Sequence, residues 1–258
     1  MVNITRFKVL GTLAAVGALL LAGGPAMAAP PTGSAYTCSG QLPSGVYSSI
    51  TVVGECDVPS GAVVTVSGNI TVTAGSALRS TWGLDAPVPG ATITVGHNVT
   101  GAPGSLVELG CTMAHGNCDP ASTVLVKGNV TLDAVYDAAL NGIEVLGNVT
   151  STGGGSGPNG FPFSVKDDHI HGNLTVSDLN GSWFGVIRTA VDHNTTLTNI
   201  TLSDPDGNEI VADSFGHNLS CTGMSPAPQL GDAVVGAPPG YGPSTVGGKA
   251  TGQCSTVG

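Results

Sequence analysis

Along most of the chain, aliphatic residues alternate with small or polar ones, and the alternation is broken by a recurring phrase. The phrase is Gly or His, then Asn, an aliphatic residue, and Thr or Ser. It occurs as Gly68-Asn69-Ile70-Thr71, His97-Asn98-Val99-Thr100, Gly128-Asn129-Val130-Thr131 and Gly147-Asn148-Val149-Thr150. It returns as Gly172-Asn173-Leu174-Thr175 and His217-Asn218-Leu219-Ser220, with a degenerate copy at His193-Asn194-Thr195-Thr196. The Asn-to-Asn intervals are 29, 31, 19, 25, 21 and 24 residues, the spacing of a stacked repeat whose length variation sits in loops. Counted from each Asn, positions −5, −3, +1 and +3 are mostly aliphatic, as with Val64, Val66, Ile70 and Val72. Alternation with period two is a half-buried strand. Gly and Asn tolerate left-handed backbone, so the phrase reads as a corner between two strands.

Each copy is therefore expected to be strand, corner, strand, and stacking them gives an all-β, single-domain parallel β-helix, or β-solenoid, of about 7–9 coils at ~4.8 Å per coil. Asn69, Asn98, Asn129, Asn148, Asn173, Asn194 and Asn218 would stack as a ladder that satisfies the corner backbone. Residues 29–66 read as an N-terminal cap and first coil, 67–224 as the repeats, and 225–258 as a Pro/Gly-rich tail folding back as a cap. Residues 1–28 read as a secretory signal: Arg6 and Lys8, an apolar run from Val9 to Leu21, and Ala26-Met27-Ala28 as the cleavage site. That run is too short to span a bilayer, and no membrane or wall-sorting anchor is expected.

Composition narrows the function. Removing Arg6 and Lys8 with the signal leaves five bases against 17 acids, a net charge of −12. A basic nucleic-acid groove is excluded, and so is docking on anionic lipid. The six cysteines all lie in the exported part, where disulfides are the rule. Sequence-neighbour pairing suits the layout: Cys38–Cys56 stapling one end, Cys111–Cys118 tying an insertion, and Cys221–Cys254 folding the tail over the other end. Thiolate metal ligation is disfavoured, since no C-x-x-C occurs.

The run from Leu219-Ser220-Cys221-Thr222-Gly223 through Pro226-Ala227-Pro228 to Thr245-Val246-Gly247-Gly248 and Gly252-Gln253-Cys254 resembles a family of small secreted actinobacterial proteins, as do the G-N-V-T phrases. The resemblance covers nearly the whole exported chain and implies a secreted right-handed β-helix with no assigned activity. The chain departs from it by a Gly/Pro-rich insertion near Ala237 to Pro243.

Candidate chemistry concentrates in the last three copies. His171 and Asp192 share position −2, and His193 and His217 share −1, within reach of a bridging metal or an acid–base pair. Asp168 and Asp213 share −5, two coils apart, near the carboxylate spacing of inverting glycosidases. No catalytic or metal set is fixed by this pattern. Its catalytic candidates are Asp168, Asp213, Asp192 and His193, and its metal candidates His171, Asp192, His193 and His217. Polar corners also attract these residue types for turn reasons. Of the short signatures by which β-helical glycosidases resemble one another, only the paired Asp167-Asp168 is present. Thr or Ser at +2 in all seven copies admits a minor reading as an ice-binding face. No cofactor is indicated. The expectation is a secreted structural or interaction protein whose partner is a cell-surface glycan or protein, with a polysaccharide hydrolase or lyase as the alternative.

Overall fold

A computed structural model describes residues 33–80, 87–113, 117–231 and 243–257. The expected signal at 1–28 and the insertion up to residue 242 lie outside the described residues. Among these residues there is no helix, and the strands build long parallel sheets. The strands on either side of each Gly-Asn or His-Asn join one 18-stranded sheet. The N-terminal cap and each repeat from the first to the penultimate also supply a strand that the alternation did not reveal. These strands run from Glu55–Val58 and Ala77–Ser80, through Leu106–Leu109, Asp137–Asn141, Phe163–Lys166 and Phe184–Ile187, to Asn208–Val211. Together they form a seven-stranded sheet.

Register explains the core. The inward column at +1 stacks Ile50, Ile70, Val99, Val130, Val149, Leu174, Thr195 and Leu219, and all are buried. The −3 column stacks Val66, Val95, Val126, Val145, Ile170, Val191 and Phe215 in the same way. Burying each such side chain contributes about 1.5–3 kcal/mol, and a one-residue slip would turn a whole column to solvent.

The corner itself differs from expectation. No ladder Asn and no preceding Gly or His has positive φ. Glycine is needed there for close approach: a Cβ on Gly128 would lie 2.5 Å from the Asn98 Oδ1 and 2.6 Å from the His97 carbonyl. Left-handed backbone sits instead at the other two bends, at Asp167, Arg188 and Ala212 entering the pre-corner strands and at Ala134, Asp178 and Asn199 leaving the post-corner ones.

The ladder is continuous. Each Asn Oδ1 accepts the backbone N–H of the Asn one layer on: Asn98 from Asn129 at 2.8 Å, Asn129 from Asn148 at 2.8 Å, Asn148 from Asn173 at 2.8 Å, Asn173 from Asn194 at 3.1 Å. Asn69 accepts from Asn98, and Asn194 from Asn218. The Lys249 N–H donates to Asn218 Oδ1, so the tail adds a further layer rather than only a lid. Thr245–Val246 and Ala250–Gly252 pair in parallel on Ser214–Phe215 and Leu219–Thr222. Cys38 is bonded to Cys56, Cys111 to Cys118, and Cys221 to Cys254. Asn148→Ala removes the acceptor for both the N–H and the Nδ2 of Asn173. We expect it to cost about 1–2 kcal/mol, seen as a lower urea midpoint at constant m-value. An unchanged midpoint would mean that water serves this exposed rung equally well.

Candidate functional site

The outward face of the seven-stranded sheet carries a cleft of about 200 Å³. Its floor is the in-register pair of small side chains Ala139 and Ser164, so neighbouring side chains stand as walls. Glu108 pairs with Ala139 at one end, and Asp137 lies on the adjacent strand opposite Leu106. Asn141 and Lys166 are paired beyond them, and Phe161, 61% exposed, overhangs the opening. The Trp183 indole covers Gly185, where a Cβ would lie 2.1 Å from the ring. The Lys166 ammonium sits 4.3 Å from that ring's centre, and the indole N–H donates to Glu209 at 3.2 Å.

The cleft is also electrostatically unusual. Burial pushes the Asp137 carboxyl up to about 7, against the pull of its bond from the Ala138 N–H and with a further rise from Glu108. Burial also raises Glu108, although Arg79 opposes it, and lowers the Lys166 ammonium. A carboxylic acid that keeps its proton near neutrality can donate a hydrogen bond or a proton, which an ordinary surface carboxylate cannot.

The sequence-derived candidates fall elsewhere. Asp168 and Asp213 occupy the inward −5 column, each 3% exposed, with Thr189 between them in register. Asp168 accepts the Ile143 N–H at 2.9 Å and Asp213 the Thr189 N–H at 2.8 Å. Burial holds both carboxyls well above their ordinary value. The expectation that they flank a substrate is therefore corrected: they are sealed in the core, where they satisfy backbone at the strand entry. Asp167 instead faces outward and pairs with Arg188, whose Nη2 lies 2.7 Å from its Oδ2.

Asp192, His193 and His217 are exposed. His171 and Asp192 do meet, Nδ1 to Oδ2 at 2.9 Å, whereas His193 and His217 approach only as rings 5.1 Å apart. The structure brings Glu144 and His169 to the first pair, neither of which the repeat register singled out as a ligand. On the post-corner face, Thr51, Thr71, Thr100, Thr131, Thr150, Thr175, Thr196, Ser220 and Thr251 form one in-register row. The companion row at +4 is broken by Ala102 and Asp133, so the face is not a continuous two-column hydroxyl array.

No helix among the described residues is long and apolar enough to cross a membrane. Three disulfides indicate an oxidising compartment. Comparisons with protein-family models, with curated proteins and with solved structures return no match.

Proposed function

We propose that the chain is an exported, right-handed parallel β-helix of about 7–9 coils that works as an extracellular interaction protein, holding a surface glycan against its seven-stranded sheet. The observation that supports this is the cleft over Ala139 and Ser164. It combines an exposed aromatic ring at Phe161 with hydrogen-bonding groups at Asn141, Ser164, Asp137 and Lys166. Sugar recognition uses that combination: an apolar ring face beside convergent polar groups. Wild-type protein is expected to sediment with one or more insoluble polysaccharides or cell-wall preparations. Phe161→Ala should weaken retention about fivefold, the loss of one aromatic contact worth ~1 kcal/mol. Retention absent across the panel, or indifferent to Phe161→Ala and Asn141→Ala, would sink the proposal.

A second reading, as a glycoside hydrolase, is favoured by the raised Asp137 and Glu108 carboxyls in one cleft. Asp137 would serve as the acid and Glu108 as the second carboxyl. In that case Asp137→Asn, which keeps a hydrogen-bonding side chain, abolishes turnover while retention falls at most a few-fold. Retention without turnover in the wild type leaves the binding reading alone.

A further inference from the structure

On the exposed side of the strands before the corner, four side chains from three successive repeats converge. Register sets Glu144 beside His169, and continuing the pairing of Ile170 with Val191 sets His171 beside Asp192. His171 Nε2 lies 3.1 Å from Glu144 Oε1, and the His169 and His171 ring centres are 4.0 Å apart. Asp192 spans both imidazoles, with Oδ1 3.0 Å from His169 Nε2 and Oδ2 2.9 Å from His171 Nδ1. One donor atom from each of Glu144, His169 and His171 falls within 4.8 Å of the other two.

Two features separate this cluster from a surface ion-pair network. The first is spacing: ligand atoms held 2.0–2.1 Å from a tetrahedral zinc lie roughly 3.3 Å from one another, so the Glu144–His171 separation needs little adjustment. The second is the division of labour at His171. Its Nε2 faces Glu144, while its Nδ1 is held by the Asp192 carboxylate, the arrangement that fixes the tautomer of a ligating imidazole. Among the described residues the His193–His217 pair has close rings but no ion pair with a carboxylate such as His171 makes with Asp192. Two imidazoles and one carboxylate suit zinc and its transition-metal neighbours, whereas calcium and magnesium prefer all-oxygen sets. Glu144 and His169 also line a shallow groove with Thr123, Gly142 and Asp167. The coordination position left open by three protein ligands therefore borders a surface that an incoming group can reach.

We propose that Glu144, His169 and His171 form a binding site for a divalent transition metal of the zinc class, with Asp192 as the carboxylate that orients the histidines. The site clamps consecutive layers of the pre-corner face and is independent of the cleft on the seven-stranded sheet.

The test uses untagged, disulfide-intact protein stripped with a chelator. Zinc titration by calorimetry should show one high-affinity equivalent, and cobalt(II) should give the d–d absorption of a low-coordinate nitrogen–oxygen site. His169→Ala and His171→Ala should each lower zinc affinity about 100-fold, and Asp192→Asn roughly 10- to 100-fold. The double variant His193→Ala/His217→Ala should stay within about twofold of wild type, because additivity holds for sites without shared partners. Zinc should raise the melting temperature of wild type but not of His171→Ala. The proposal is overturned if the wild type binds no zinc at about 100 µM, a concentration that fills any site tighter than that. It is equally overturned if binding survives both single histidine variants, or if it disappears with the His193/His217 variant.

Discussion

Between about pH 4 and pH 7.5 the protein is expected to lose stability as the pH rises, the reverse of ordinary acid denaturation. The cause is a set of carboxyls that the fold keeps protonated. Burial raises Asp137 from 3.8 to about 7, and it holds Asp168 and Asp213 well above 3.8. Below the unfolded value both states carry the proton, and stability does not depend on pH through these groups. Above it the unfolded chain has released the proton and the folded chain has not. The folded state then binds more protons, and the free energy of unfolding falls with each pH increment until the folded value is passed.

For Asp137 alone the window runs from 3.8 to about 7, a loss of about 4 kcal/mol. Asp168 and Asp213, also raised by burial, add to it with the same sign. Asp192 works oppositely, since its hydrogen bond from His169 holds it below its ordinary value, but it is exposed and its effect is small. Lys166, lowered by burial, gains stability only on the alkaline side. The melting temperature should fall on the order of 10 °C across the range, measured by calorimetry without reductant. Asp137→Asn should flatten the curve below about pH 7. A melting temperature that climbs steadily from pH 4 to 7.5 would refute this account.

Gly110→Ala should be among the most damaging single-methyl changes in the molecule. Gly110 has φ +79°, and a Cβ there would lie 2.1 Å from the Asn141 carbonyl oxygen and 2.7 Å from Ile143 Cγ2. Left-handed backbone costs an L residue about 1–2 kcal/mol. The clash then falls on main chain of the adjacent layer, which cannot rotate aside. We expect a total of about 3–5 kcal/mol, read from the urea midpoint. Gly61 supplies the comparison, with φ +66° and nothing within 4 Å of the place a Cβ would take. Gly61→Ala should cost only the conformational part, about 1 kcal/mol. Equal losses at the two sites would show that layer spacing is not what Gly110 protects.

The half of each repeat around the ladder was readable because both its strands obey period two and share one fixed phrase. Val64, Val66, Ile70 and Val72 announce their burial, and the Asn intervals announce the stacking. The third strand was not readable because it follows neither rule. Ala77–Ser80 and Leu106–Leu109 each bury two consecutive residues before alternating, and Asp137–Asn141 is buried throughout. The third strand starts eight residues after the ladder Asn in the first three repeats but 15, 11 and 14 residues after it in the next three, so no single offset locates it throughout. The cleft was hidden with them: Glu108 and Asp137 look like isolated acids until strand pairing sets them beside the same column of small residues. The first coil was legible although Ser49 replaces Asn at its ladder position, because Ile50-Thr51-Val52 keeps the phrase's second half. The last layer was missed because Lys249 replaces Asn there and Ala250-Thr251-Gly252 carries little of the aliphatic pattern. Asp168 and Asp213 were correctly placed on the core-facing column, yet polar side chains there suggested chemistry when their work is to accept backbone N–H groups at a bend.

Where every layer touches only its neighbours, disorder ordinarily starts at an end, since a terminal layer has one neighbour instead of two. In this chain the bridges Cys38–Cys56 and Cys221–Cys254 fasten those outermost layers. A peptidase trimming from either terminus meets a crosslink before it reaches the stacked aliphatic columns, and a pull on the two termini is delivered past the fastened layers to those between them. The molecule is thus guarded against erosion, and its exposure to attack shifts to internal nicks in exposed turns such as 203–206.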